Sequence, residues 1–127
     1  MSLFDAPLQN KFHIASTTGK DFDLTTVFND TLVMAKPYLS VPVVDNHDTQ
    51  PLQALEAPIE PWFKPLAYAL ILLREDGYPC VFYPDMFGAT YTDKGKDGND
   101  YNINLGIVTE LEKLLILPCY LRALRPP

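Results

Sequence analysis

The sequence predicts an α/β fold assembled from parallel βαβ units. Short apolar runs alternate with longer stretches of helical character, and buried strands separated by helices pair in parallel. Three of the apolar runs end in an aspartate, at Asp5, Asp45 and Asp85. In parallel α/β folds, functional side chains gather where strands give way to loops. The chain also carries 12 prolines against 6 glycines, which indicates elements capped and interrupted at fixed places.

Each element has its own local reason. Ser2 to Phe4 is extended and is stopped by Asp5 and Pro7. Residues 7–16 read as a helix, with Leu8, Phe12 and Ala15 at i, i+4, i+7. Residues 17–23 are polar, and Asp23 is placed to cap a short helix from Leu24 to Asn29. Leu39 to Val44 is apolar and β-branched between polar flanks, the pattern of a buried strand. Asp45 to Glu60 is a long polar connection. Trp62 to Arg74 is the clearest helix. Its apolar residues cover nearly the whole circumference, which predicts burial on all sides with Trp62 in the core. Pro65 fits only the first turn, so the helix starts near Lys64, and Gly77 reads as its C-terminal stop. Pro79 to Tyr83 is the third strand. Residues 84–102, rich in Gly and Asp, read as a loop. Ile103 to Leu117 reads as the last helix, with Ile107, Leu111, Leu114 and Leu115 on one face and Pro118 as its terminator. No internal repeat appears beyond this alternation.

Composition excludes several classes of function. With 47% hydrophobic and 12% aromatic residues, the chain is built to fold. A net charge of −6 without a Lys/Arg cluster argues against nucleic acid and anionic membrane as partners. No apolar run reaches the roughly 20 residues of a membrane-spanning helix. Cys80 and Cys119 lack metal-type spacing, and Cys80 in its apolar run is expected to be a buried free thiol, which suits a reducing, cytoplasmic setting. The N-terminal residues lack the basic start and apolar core of a signal peptide.

The run Val43-Val44-Asp45-Asn46-His47-Asp48-Thr49-Gln50 is the richest in chemistry. If the strand continues, Asp45 and His47 project to one side and Asp48 lies at the turn into the loop. Carboxylate, amide and imidazole groups together both donate to and accept from sugar hydroxyls. A carboxylate at a strand end can also stabilise positive charge on a sugar at the transition state. Two other readings compete on spacing alone: turn residues with Asp and Asn capping, and a metal site, for which one Asp-His-Asp group is a weak set.

Val44-Asp45-Asn46-His47-Asp48 resembles the fourth conserved region of the α-amylase family of glycoside hydrolases. The similarity extends to both sides. Ser2 to Leu8 resembles that family's sixth barrel strand, Pro51 to Glu56 and Trp62 to Leu72 its seventh helix, and Gly77 to Tyr83 with Asp85 its eighth strand. The cytoplasmic and liquefying type of α-amylase is the best fit. The resemblance covers about residues 1–116 and leaves 117–127 as an off-family tail, for which a shifted reading frame or retained intron is the hypothesis to test on the coding DNA.

The resemblance implies a partial (β/α)8 TIM barrel, the last three βα units, strands 6 to 8 with their helices. It implies that Asp48 is the transition-state stabiliser, that His47 and Asn46 bind substrate with Gln53 as a secondary contact, and that Asp45 supports them. The substrate would be α-1,4-glucan in starch, glycogen or maltooligosaccharides, hydrolysed with retention. That chemistry needs a nucleophile and a general acid about 5–5.5 Å apart. In this family they stand at the ends of the fourth and fifth strands, and neither motif is matched here. The chain is therefore expected to be inactive alone and to require the N-terminal barrel half, or to be a non-catalytic truncated product or weak carbohydrate-binding remnant.

Calcium is expected for the full-length family, but no metal site is assigned to these residues. Residues 93–100 miss the EF-hand pattern and read as a solvated loop, and Lys20 and Phe22 replace the Gly and Tyr that some relatives use near a further ion. Asp5 and Asp85 read as loop anchors, and His13 as a surface or satisfied histidine. Glu56 and Glu60 lie in the loop after the motif without further support. Leu52 stands where many relatives have Gly.

Overall fold

The computed structural model describes residues 1–123, with side chains through Pro118; residues 124–127 of the expected tail lie outside the described residues. It is an α/β mixture with small sheets. β1 (Leu3–Phe4) pairs in parallel with β2 (Ser40–Val41), Leu3 opposite Ser40 and Phe4 opposite Val41. A third extended segment lies parallel on the other side of β2, through a bridge from Val43 to Cys80. The Tyr78 and Cys80 N–H groups donate to the Ser40 and Pro42 carbonyls, both at 2.9 Å. The expected strand over residues 79–83 is thereby reduced to this bridge. Pro79 has no N–H, so it fits only where its nitrogen faces away from the ladder.

Between β1 and β2 runs α1 (Ala6–Thr18), whose buried Leu8, Phe12 and Ala15 follow the expected helical spacing. Asp23 caps a short 3-10 turn, Leu24–Thr26, through the Thr25 N–H. α2 (Leu32–Ala35) then leads back to β2. α3 (Lys64–Leu72) starts where Pro65 requires and buries Ala67, Tyr68 and Ile71 in the same core as Leu8 and Phe12 of α1. It is not buried all round: Leu66 and Leu73 remain 47% and 43% exposed. Trp62 is not in the core either. It is 55% exposed, its indole N–H donates to the Ser16 carbonyl, and its ring meets Phe63 edge-on.

Gly77 does not stop α3, which ends several residues earlier. It has φ +81°, and a Cβ there would lie 2.9 Å from the Pro42 ring. The glycine permits the third segment to approach β2. Cys80 is exposed rather than buried, because among the described residues no strand lies beyond this segment.

The expected loop over 84–102 is mostly regular structure. α4 (Tyr83–Phe87) is followed by an antiparallel hairpin of β3 (Ala89–Lys94) and β4 (Asp100–Leu105), paired from Ala89–Leu105 to Lys94–Asp100. β3 carries the β-formers Thr90, Tyr91 and Thr92, β4 alternates Tyr101, Ile103 and Leu105 with polar residues, and an Asp97-Gly98 turn lies between them, a hairpin signature that the Gly and Asp content of the segment masks. Because the ladder takes Ile103–Leu105, the last helix, α5, begins only at Leu111 and runs to Ala123. Leu111 is fully buried and Leu114 packs on the core, but Ile107 is 58% exposed and lies outside the helix. Pro118 sits inside α5 instead of ending it. Proline keeps a helical φ and removes one hydrogen bond, a local loss that the turns on either side bridge. No helix among the described residues is long and apolar enough to cross a membrane.

Candidate functional site

The site is organised by a buried ionic network that begins at the end of the second parallel segment. Val43 and Val44 are buried in the core, which carries Asp45 to a position only 4% exposed. Its carboxylate accepts the Lys64 ammonium at 2.8 Å and the Thr49 hydroxyl at 3.2 Å. Lys64, in the first turn of α3, also reaches Asp85 at 2.5 Å. Asp85 is fully buried and accepts the Tyr68 hydroxyl at 2.5 Å. The Tyr68 oxygen in turn accepts the Phe82 N–H at 3.3 Å. One cation of α3 thus ties the end of the second parallel segment to α4.

The charges follow from who shares whom. Burial pushes the Asp45 carboxyl above its ordinary range; Lys64 pulls it back and the Asp85 charge pushes it further up. Burial alone would lower the Lys64 ammonium, but the two carboxylates together raise it above its ordinary value. Burial and the Asp85 charge hold the Tyr68 hydroxyl far above the usual phenol range, so it remains a donor.

After Asp45 the strand does not continue. The Asn46 side-chain oxygen accepts the N–H groups of Asp48 at 2.8 Å and Thr49 at 3.0 Å, and the Thr49 hydroxyl accepts the Asn46 N–H at 3.0 Å. This Asx-type turn reverses the chain at once. Asp45 and His47 therefore do not share a face: Asp45 is turned in, while the His47 side chain is 77% exposed and that of Asp48 is 50% exposed. His47 Nε2 lies 3.5 Å from the Asp48 carboxylate. Gln53 is held elsewhere, its amide donating to Asp93 of β3 at 2.8 Å.

The remaining candidates divide in the same way. Asp5 is fully buried and accepts the N–H groups of Leu8, Leu32 and Val33 and the Ser40 hydroxyl. His13 Nδ1 is 2.7 Å from the Pro58 carbonyl. Asp97 receives bonds from Asn99 and Tyr101 at the hairpin tip. Among the described residues no group of three or more His, Cys, Asp and Glu is placed to hold a metal ion. A cleft of about 590 Å3 opens beside Asp45 and Lys64, with Gln50, Trp62 and Phe82 in its wall.

Lys64 and Tyr68 are the residues that sequence reasoning missed. Their signal was a single lysine in the first turn of an apolar helix, one turn before a tyrosine on the same face.

No family model matches the chain. A cytoplasmic α-amylase of Escherichia coli (strain K12) is 63% identical over 114 residues, 90% of this chain and 23% of that protein. An α-amylase of Geobacillus stearothermophilus is 60% identical over 88 residues, 69% of this chain and 16% of that protein. A glucan 1,4-α-maltohexaosidase of Bacillus sp. (strain 707) is 53% identical over 87 residues, 68% of this chain and 17% of that protein. The chain spans between 16% and 23% of the length of these curated relatives.

Proposed function

We propose, from the premise that this chain belongs to the α-amylase family over the stretch it matches, that it forms the last three βα units of a (β/α)8 catalytic barrel and supplies one wall of an α-glucan site. The observation that carries this reading is the split of the Asp45–Asp48 run. Asp45 and Asn46 spend their polar atoms on the fold, and His47 and Asp48 are held out towards solvent beside each other. An imidazole and a carboxylate fixed at a strand end are suited to grip adjacent hydroxyls of one sugar ring. Asp48 is the group placed to stabilise positive charge developing on that ring. The curated relatives are named for action on α-glucans, and one of them as cytoplasmic, which supports starch or glycogen as substrate and a cytoplasmic setting.

Hydrolysis with retention needs two accessible carboxyl groups about 5–5.5 Å apart. Asp45 and Asp85 flank one lysine, but both are buried and committed to it. Neither can attack a sugar or protonate a leaving group. We assign the nucleophile, the general acid and the family's calcium ligands to residues outside this chain, so the chain alone holds a glucan without cutting it.

Maltohexaose titration followed by NMR tests the binding half. The His47 imidazole signals are expected to shift, and His47→Ala and Asp48→Asn to weaken binding at least about tenfold. Unperturbed His47 signals at millimolar maltohexaose reject the sugar site. Starch hydrolysis by the purified chain, lost in Asp48→Asn, rejects the assignment of the missing carboxylates.

A further inference from the structure

We propose that the β3–β4 hairpin positions the glucan-facing loop, and that Tyr91 and Asp93 are its two latches. The inference rests on the sugar-site reading for its consequence, while its structural basis is separate. Tyr91 and Asp93 are alternate residues of β3 and so share one face of the hairpin. The Tyr91 hydroxyl donates to the Pro51 carbonyl. The Asp93 carboxylate accepts the Gln53 amide at 2.8 Å.

Between these two held residues stands Leu52, with φ +66°. A residue carrying a Cβ avoids this left-handed region, and such strain persists only where the surroundings over-determine it. Here one latch grips the residue before Leu52 and the other the residue after it. The loop then folds back on the motif: the Leu55 N–H donates to the Asp48 carbonyl at 3.0 Å, and the Ala57 N–H to the Thr49 carbonyl at 2.9 Å. A change of course at Leu52 is therefore passed within three residues to the backbone of Asp48. The hairpin sets where His47 and Asp48 stand without touching either.

Hydrogen exchange on the full 127-residue chain reads the latch without any ligand. Tyr91→Phe and Asp93→Asn are each expected to speed exchange of the Leu55 and Ala57 amides about tenfold and to leave the α1 amides unchanged. Leu52→Gly removes the strain that the latches hold. In that background Tyr91→Phe is expected to change the same amides by less than about threefold. Unchanged exchange in both latch variants, or full additivity in the double variant, overturns the proposal. Should Tyr91→Phe prevent folding, the double variant with Leu52→Gly is expected to restore it, and a failure to restore counts against the latch. Maltohexaose titration adds the functional arm, in which both latch variants are expected to weaken binding several-fold. Loosened exchange with unchanged maltohexaose affinity overturns the positioning role. A wild-type chain that ignores maltohexaose removes the sugar reading, and the exchange cycle then decides on the latch by itself.

Discussion

Lys64 serves two carboxylates, and this sharing determines how the network answers to pH. Asp45 and Asp85 each see one ammonium and one another, whereas Lys64 sees both of them. Its folded pKa is raised, so its contribution to stability is fully present below its ordinary value of 10.5 and is lost as pH rises through the higher folded value. Asp45 works in the opposite sense. Its folded pKa is also raised, so for this carboxyl stability falls as pH climbs from 3.8 through the folded value and is level above it. Lys64→Met leaves two buried carboxylates without their cation and is expected to cost about 3–5 kcal/mol at neutral pH. The loss should shrink on acidification towards about pH 4, where protonation can neutralise the orphaned groups. Urea unfolding of both proteins at the two pH values measures this, and a penalty independent of pH rejects the buried-charge account. The sequence put both Asp45 and Asp85 at strand ends, but Asp85 lies inside α4, and nothing along the chain showed what joins the two. A long lysine side chain meets its partners across elements, and no spacing along the chain records that.

At the scale of elements, Asp5 does more than end β1. It caps α1 through Leu8, and it also fixes the entry of α2 through the Leu32 and Val33 N–H groups and the start of β2 through Ser40. Asp5→Ala removes one buried acceptor from four donors, so a loss of at least about 3 kcal/mol in chemical denaturation is expected. A loss below about 1 kcal/mol would mean that water replaces the carboxylate. Where local pattern and burial agreed, the sequence was readable: α1, the Asp23 cap and the Pro65 start of α3 all follow from it. Residues 84–110 were not. The Asp97-Gly98 turn and the period-2 strands compete there with an apolar series, Ile103, Ile107, Leu111 and Leu114, that fits a helix equally well on paper. Cross-strand pairing decided it, and pairing is a property of two segments at once. The Asn46 turn was hidden for a related reason: alternation describes a strand that continues, and two backbone N–H groups captured by one amide oxygen end it.

At the scale of the whole molecule, the described residues leave apolar groups outside the core. Leu3 and Phe4 of β1 are about half exposed, at 47% and 49%, and Tyr83, Phe87 and Ile107 are 67%, 62% and 58% exposed around α4. Tyr83 and Phe87 pack against each other, ring centroids 4.8 Å apart and planes tilted by 40°, with most of their surface exposed. β1 is bonded on one side by β2, and the segment around Cys80 is bridged on one side by Val43. Among the described residues no further strand pairs with either outer edge, and such edges invite pairing with another chain. A closed barrel has no such edges, and it takes about 250 residues to make one. The isolated chain is thus expected to associate with itself, with sedimentation coefficients that rise with concentration, and to melt over a broad, low range. Mixing it with the remaining part of an α-amylase catalytic domain should suppress that association, because the same edges and apolar side chains would then be covered. A monodisperse monomer with a sharp unfolding transition would show that these three segments satisfy their own edges, and it would remove the physical reason for placing them in a larger barrel.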